Sequence, residues 1–251
     1  MLAYGIQSSL IWGMKRTRVF VLTALVLISL MKFTTVGSED RPAQARKNCQ
    51  PQIDAEFEKA GLRYPAAEVL LRALKHEGKI EVYANNQAGD PLRLVTTYEV
   101  LGRSGRPGPK RREGDGQVPE GWYKVDRFNP KSSFHLSLGL DYPNAADLVH
   151  AHKTEPGSDI FIHGGSATVG CLPIGDAYIE ALYLIAQDAK DDVRVLILPA
   201  GFEEENVEFF AKYPQHAEFW ADLKNIDVAF ATTKKTPQVN VTEAGRYTVG
   251  K

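Results

Sequence analysis

Asp159-Ile160-Phe161-Ile162-His163-Gly164-Gly165-Ser166-Ala167-Thr168-Val169-Gly170-Cys171-Leu172-Pro173-Ile174-Gly175-Asp176 is the stretch around which the rest of the chain reads as organised. Its opening residues are β-branched or aromatic and predict a short strand ending at His163. A loop of small residues follows and closes at Cys171, after which an apolar-periodic segment from Asp176 predicts a helix. Only the thiolate of a cysteine is a good nucleophile, and a nearby imidazole generates it at neutral pH. A folded-back glycine-rich loop brings His163 and Cys171 within reach of each other. Gly164, Gly165 and Gly170 let that loop turn tightly and leave room for a substrate. Backbone N–H groups around Gly170 and Cys171, expected at the start of a helix, are candidate donors to an oxyanion.

His-Gly, a loop, and then x-Gly-Cys resembles the signature of the YkuD-type L,D-transpeptidase catalytic domain. The short spacing, and Val169-Gly170-Cys171-Leu172 at the cysteine, resemble its YafK-type branch. Flanking text agrees in order: Gly108-Pro109-Lys110, Gly114-Asp115-Gly116, Pro119-Glu120-Gly121-Trp122-Tyr123, Asn129-Pro130, His135-Leu136-Ser137 and Tyr142-Pro143-Asn144-Ala145. The resemblance spans roughly Val69 to Leu198. It implies an α+β fold, a β-rich catalytic domain built on a mixed sheet or sandwich with peripheral helices. It implies Cys171 as nucleophile, His163 as proton donor and acceptor, the Gly164 main-chain carbonyl as the group orienting His163, and Gly170 backbone at the oxyanion. No cofactor or metal is called for. The implied partner is a peptidoglycan stem peptide, with an outer-membrane lipoprotein as a further one, and the implied setting is cell-wall biogenesis and cell shape. Two positions depart from the wider family: Val169 stands where a second histidine is common, and Pro173 where an arginine is common. Both weaken substrate-carboxylate recognition at those places.

The implied chemistry is an acyl-thioester on Cys171, resolved by an amine to form a cross-link. The alternative is resolution by water, giving a hydrolase that releases a wall-linked lipoprotein or trims cross-links. A non-catalytic wall-binding module with a dead site is a reading from another class, opposed by the intact His163 and Cys171. A cytosolic thiol enzyme is opposed by the N-terminus and by the absence of Cys-x-x-Cys.

The chain has 251 residues, of which 43% are hydrophobic, enough for a sizeable core in one or two domains. Its 30 Lys and Arg nearly balance 31 Asp and Glu, so no electrostatic footprint for nucleic acid is present. Two cysteines are too few for a disulfide framework.

Met14-Lys15-Arg16-Thr17-Arg18 followed by the apolar run Val19 to Met31 predicts a secretory signal peptide, or an uncleaved anchor, within residues 1–38. Either way an exported, periplasmic protein is expected, touching membrane only through that segment if it is retained; Met14 is an alternative start. Residues 39–64 read as a linker with a short helix, 65–200 as the catalytic domain, and 201–251 as a helical extension and tail packed on it. Within the domain, Pro65–Glu77 reads as a helix, and Ile80–Ala84 and Leu92–Leu101 as a hairpin. Gly102–Pro119 reads as a long loop, either simply solvated or substrate-proximal. Trp122–Phe128, Phe134–Leu138 and Val193–Leu198 read as strands, the last of them central; Asp147–His152 and Asp176–Asp188 read as helices. The tail after Ala229 is expected to be loosely ordered. Phe209, Phe210, Phe219 and Trp220 read as a packing face. Lys110-Arg111-Arg112 reads as a solvated charge run, Cys49 as a free or intermolecularly paired linker thiol, and His150-x-His152 as loop histidines. His135 is a structural or cleft-lining histidine on a strand, and His76 and His216 carry no signal.

Overall fold

Val69-Leu70-Leu71-Arg72-Ala73-Leu74, expected inside a helix, is strand β1 (Val69–Leu74), buried along its whole length in the computed structural model of the chain. Helical and extended readings compete for a short run that is apolar on every side, and pairing decides. β1 is antiparallel to β2 (Lys79–Ala84) and parallel to β8 (Arg194–Leu198), so both of its edges are hydrogen-bonded. The structure describes residues 40–250; the expected signal or anchor segment lies outside them. No helix among the described residues is long and apolar enough to cross a membrane.

Eight strands form one mixed sheet in the order β3-β2-β1-β8-β4-β5-β6-β7. β3 (Arg93–Glu99) is one edge, β4 (Gly121–Asn129) and β5 (Ser137–Leu140) follow the centre, and β6 (Phe161–His163) and β7 (Leu172–Pro173) finish the other. β4 is the hinge of the sheet. Its first residues pair with β8 and its last with β5, with a register shift between Val125 and Arg127. A bulge there bends and twists the strand, so β5, β6 and β7 curl away from the flat half.

Alternation along β1 and β8 feeds two cores, one on each face. Val69, Leu71, Ala73, Val195 and Ile197 pack with helices α1 (Arg41–Lys59) and α3 (Asp176–Asp188). Leu70, Leu74, Leu196 and Leu198 pack with Trp220, Leu223, Ile226 and Phe230 of α5 (Ala217–Thr233). Each fully buried leucine contributes about 1.5–3 kcal/mol. This two-sided burial explains why these strands read as continuous apolar runs.

Three further segments depart from expectation. Residues 41–59 are a helix, not a linker: Asp40 caps the first turn through Ala43 N, and Ala45, Cys49, Ile53 and Phe57 form a buried stripe at four-residue spacing. Packing of that narrow stripe overrides Pro51, which costs a helix interior about 3 kcal/mol. Cys49 is consequently buried, a free thiol donating to the Ala45 carbonyl. The tail is ordered as well. α5 runs to Thr233, and the hairpin β9 (Val239–Val241) and β10 (Tyr247–Val249) returns to it through Arg246, which pairs with Asp222 and Glu218. Finally, Phe134 and His135 precede β5. His135 turns the chain with a φ of 69°, its Nε2 sits 2.7 Å from Glu180 of α3, and its carbonyl accepts from Arg41. The short helices α2 (Ala145–His150) and α4 (Val207–Ala211) are the remaining α-helices among the described residues; Phe209 and Phe210 pack on Trp220, and Phe219 on Tyr247.

Candidate active site

His163 ends β6 and Cys171 immediately precedes β7, and these two strands pair in parallel, Ile162 with Leu172 and His163 with Pro173. Extending that ladder back by one residue sets Cys171 beside Phe161, and the Phe161 N–H does donate to Cys171 Sγ at 3.4 Å. Ile162 and Leu172 face the α3 core. By strand alternation Cys171 and His163 share the opposite face, diagonal to each other across one strand gap. The loop that links them is held at both ends. Gly164 N donates to the Phe134 carbonyl, Gly165 N to Asp176 Oδ1, and Gly175 N to the Gly165 carbonyl. A side chain at Gly164 would collide with Asp176 and with the Phe134 carbonyl, so this place needs glycine. Gly170 needs it for conformation: its φ is +100°.

His163 is buried, and Phe134 lies over it with ring centroids 4.5 Å apart. Its Nδ1 stands 2.6 Å from the Gly164 carbonyl oxygen. A carbonyl can only accept, so Nδ1 carries the proton and Nε2 is the free acceptor of the neutral ring. Burial lowers the imidazole pKa, with the Gly164 carbonyl opposing. Burial likewise raises the Cys171 thiol, against the Phe161 N–H. The resting pair is therefore thiol and neutral imidazole. The thiol donates weakly to the Asp159 carbonyl at 3.7 Å, and among the described residues no hydrogen bond joins it to His163.

The helix that follows begins only at Asp176, so the Cys171 N–H is not at a helix start as expected, and no helix dipole acts on it. Hydroxyls meet the backbone donors instead. Gly170 N donates to Ser104 Oγ at 2.7 Å, and Cys171 N to Thr168 Oγ1 at 2.9 Å. Ser104 belongs to the long loop 102–119, which lies against the motif loop: a Cβ on Gly102 would strike the Ser166 carbonyl, and one on Gly170 would stand 3.0 Å from the Gln117 carbonyl oxygen. Ser104, Phe134, Thr168 and Asp176 thus join the site without having been singled out in the sequence. Only the glycine-poor centre of the motif loop, where Thr168 sits, offered a signal.

Two buried charges hold loop 102–119, Lys110 within it and Glu120 just after it. Lys110, expected to be solvated, is buried, with Nζ 2.7 Å from Asp115 Oδ1; Asp115 also accepts from the Arg111, Arg112 and Gln117 N–H groups. Those contacts hold the Asp115 carboxyl below its ordinary range against the opposing effect of burial. Glu120, 0% exposed, accepts from Lys75 Nζ at 2.8 Å, Gly108 N at 2.9 Å and Trp220 Nε1 at 2.6 Å, tying the loop to α5. Behind the loop is a cavity of about 240 Å³ with Ser104, Leu172, Arg103 and Phe209 in its wall. Neither Cys171 nor His163 lines it. His150 and His152 lie at the end of α2 and beyond, and His152 Nδ1 accepts from the Glu155 N–H.

Residues 73–197 match the model of the YkuD family, the L,D-transpeptidase catalytic domain. The chain is 27% identical over 241 residues to YafK of Escherichia coli strain K12, a protein provisionally named an L,D-transpeptidase; the match covers 93% of this chain and 91% of that one. Among solved structures, it is similar to the helical cell shape determining protein Pgp2 of Campylobacter jejuni, with 18% identity, a TM-score of 0.44 and coverage of 76% of this chain and 81% of that one. Bd1075 of Bdellovibrio bacteriovorus gives 18% identity and a TM-score of 0.41, covering 70% and 78%. Through residues 73–197, the chain belongs to the YkuD family of L,D-transpeptidase catalytic domains.

Proposed function

We propose that the protein is an exported cysteine acyltransferase acting on peptidoglycan stem peptides, with Cys171 as nucleophile and His163 as its proton acceptor and donor. The observation that carries this reading is the 2.6 Å contact of His163 Nδ1 with the Gly164 carbonyl, which calls for a proton on Nδ1 and leaves Nε2 as the ring acceptor on the face it shares with Cys171. On substrate binding the thiol leaves the Asp159 carbonyl for Nε2, a tightening common between free and substrate-bound sites. Sγ attacks the carbonyl of an L,D-peptide bond, the thiol proton passes to Nε2, and the departing amine takes it back. The thioester then transfers its acyl group to an amine. An outer-membrane lipoprotein as partner, and a periplasmic location, belong to the same reading; the basic and apolar run of residues 14–31 supports export.

Incubation of the full-length protein with purified disaccharide-tetrapeptides, beside Cys171→Ala, tests this. Products heavier by a second stem peptide, absent with Cys171→Ala, are the expected outcome. Products that have only lost a terminal residue make the enzyme a hydrolase, and no product with either protein overturns the reading.

A further inference from the structure

The backbone N–H of the candidate nucleophile and that of the residue before it are both bonded to hydroxyls, and the two bonds differ in what they leave over. Thr168 Oγ1 accepts from Cys171 N at 2.9 Å and donates to the Cys171 carbonyl at 2.8 Å. Its single proton is thereby committed. Ser104 Oγ accepts from Gly170 N at 2.7 Å, and among the described residues its own proton meets no acceptor. A hydroxyl that accepts from an N–H becomes a better donor through its remaining proton, because hydrogen bonds in a chain polarise one another.

Ser104 is also held in place. Gly102 lies against the Ser166 carbonyl on the motif loop, and the Arg106 N–H donates to the Gln117 side chain. The Gln117 carbonyl itself stands beside Gly170. The serine is half-buried, with the cavity behind the loop on one side and Gly170 on the other. An uncommitted, fixed and polarised O–H beside the residue preceding a nucleophile has the chemistry of an oxyanion donor.

We propose that Ser104 is a catalytic residue: its hydroxyl, backed by the Gly170 N–H, donates to the carbonyl oxygen of the acyl group as Cys171 attacks. The inference rests on the reading of Cys171 as nucleophile. In the attack the Sγ–C bond forms, the carbonyl π pair moves onto oxygen, and the thiol proton goes to His163 Nε2. On collapse that pair returns, the bond to the leaving group breaks, and the leaving group takes the proton from His163. Ser104 donates throughout and keeps its own proton. The hydroxyl thus completes the oxyanion site from loop 102–119, outside the motif that carries the cysteine and histidine.

Two thiol reactions of the full-length protein isolate this role. Acetylation of Cys171 by p-nitrophenyl acetate passes through an oxyanion, whereas alkylation by iodoacetamide is a displacement that forms none. Ser104→Ala is expected to slow acetylation about 10- to 100-fold, somewhat less than loss of an isolated donor because the Gly170 N–H is uncovered. Alkylation is expected to be unchanged, and Ser104→Thr to restore acetylation to within about threefold of wild type. Acetylation of Ser104→Ala at the wild-type rate or faster makes the hydroxyl a plug and overturns the proposal. Equal slowing of both reactions makes it structural and overturns it too, as does a wild-type Cys171 that p-nitrophenyl acetate does not acetylate. Ser104-dependent acetylation in an enzyme inert toward stem peptides leaves this inference standing and removes the peptidoglycan reading.

Discussion

His163 Nδ1 lies 2.6 Å from the carbonyl oxygen of Gly164, the next residue along the chain, and no carboxylate is needed to set the ring. In many nucleophile–imidazole pairs a third side chain orients the base. Here the backbone does so, because the tight turn at Gly164 swings its own carbonyl back onto the ring. A neutral orienting group raises the imidazole pKa less than a carboxylate does, and burial lowers it further.

That balance predicts a pH profile. Acylation of Cys171 requires neutral His163, whose pKa burial depresses, so the acid limb of the rate falls below the ordinary histidine value of about 6.5. His163→Ala lowers acylation by about 10²–10⁴-fold. Because the resting thiol is raised by burial and is not bonded to His163, its iodoacetamide titration midpoint stays above the ordinary cysteine range and does not move in His163→Ala. A low midpoint that climbs in the variant would mean a thiolate–imidazolium resting pair instead.

Gly164→Ala tests the turn. Its Cβ would meet Asp176 and would stand 2.5 Å from the Phe134 carbonyl oxygen, so the motif loop must shift. Overpacking of this kind costs about 1–3 kcal/mol, and the displaced carbonyl releases the ring of His163. Urea unfolding and acylation rates are expected to fall together, acylation by at least about tenfold. Unchanged acylation would separate the ring from the carbonyl.

Glu120 ties the site loop to a helix beyond the family's matched residues. Glu120→Gln breaks the buried pair with Lys75 and is expected to cost about 3–5 kcal/mol. Lys75→Met with Glu120→Gln leaves no unpaired buried charge and is expected to recover part of that loss. Urea denaturation of the two single variants and the double checks both statements; a loss under about 1 kcal/mol in Glu120→Gln would mean that the loop does not depend on the pair.

Asp147 makes stability pH-dependent. Burial raises its pKa to about 6, against hydrogen bonds from Asn144 N and the Tyr123 hydroxyl. A raised acid means the folded state binds a proton that the unfolded state has already lost between about pH 4 and pH 6, so its contribution falls as pH rises through that window. At neutral pH the cost is roughly 2–3 kcal/mol. The urea midpoint of wild type relative to Asp147→Asn is expected to improve on going from pH 7 to pH 5. A pH-independent difference would contradict this.

The elements most legible in the sequence are those whose environment is one-sided. Helix α3 shows its buried face at Ile179, Leu182, Tyr183 and Ala186, and it starts and ends where periodicity places it. β8 is central, as an apolar run bounded by Arg194 and Pro199 implies. β1 was misleading because burial on both faces erases alternation, leaving Val69, Leu70, Ala73 and Leu74 at spacings that also suit a helix. α1 was hidden for the opposite reason: one buried residue in four, amid charges and a proline, looks like a linker until α3 covers it. At the site, the spacing of His163 and Cys171 around glycines agrees with their places at the end of β6 and just before β7, two strands that pair. Ser104 was not readable, since nothing local pins a loop serine to an N–H that is 66 residues away in the chain.

Intact-mass spectrometry of the full-length protein mixed with a disaccharide-tetrapeptide tests the central claim most directly. The account predicts a transient adduct with the mass of the disaccharide-tripeptide acyl group, localised to Cys171, cleaved by hydroxylamine as a thioester is, and absent in Cys171→Ala. An adduct that persists in Cys171→Ala, or turnover of the peptide by that variant, would contradict it.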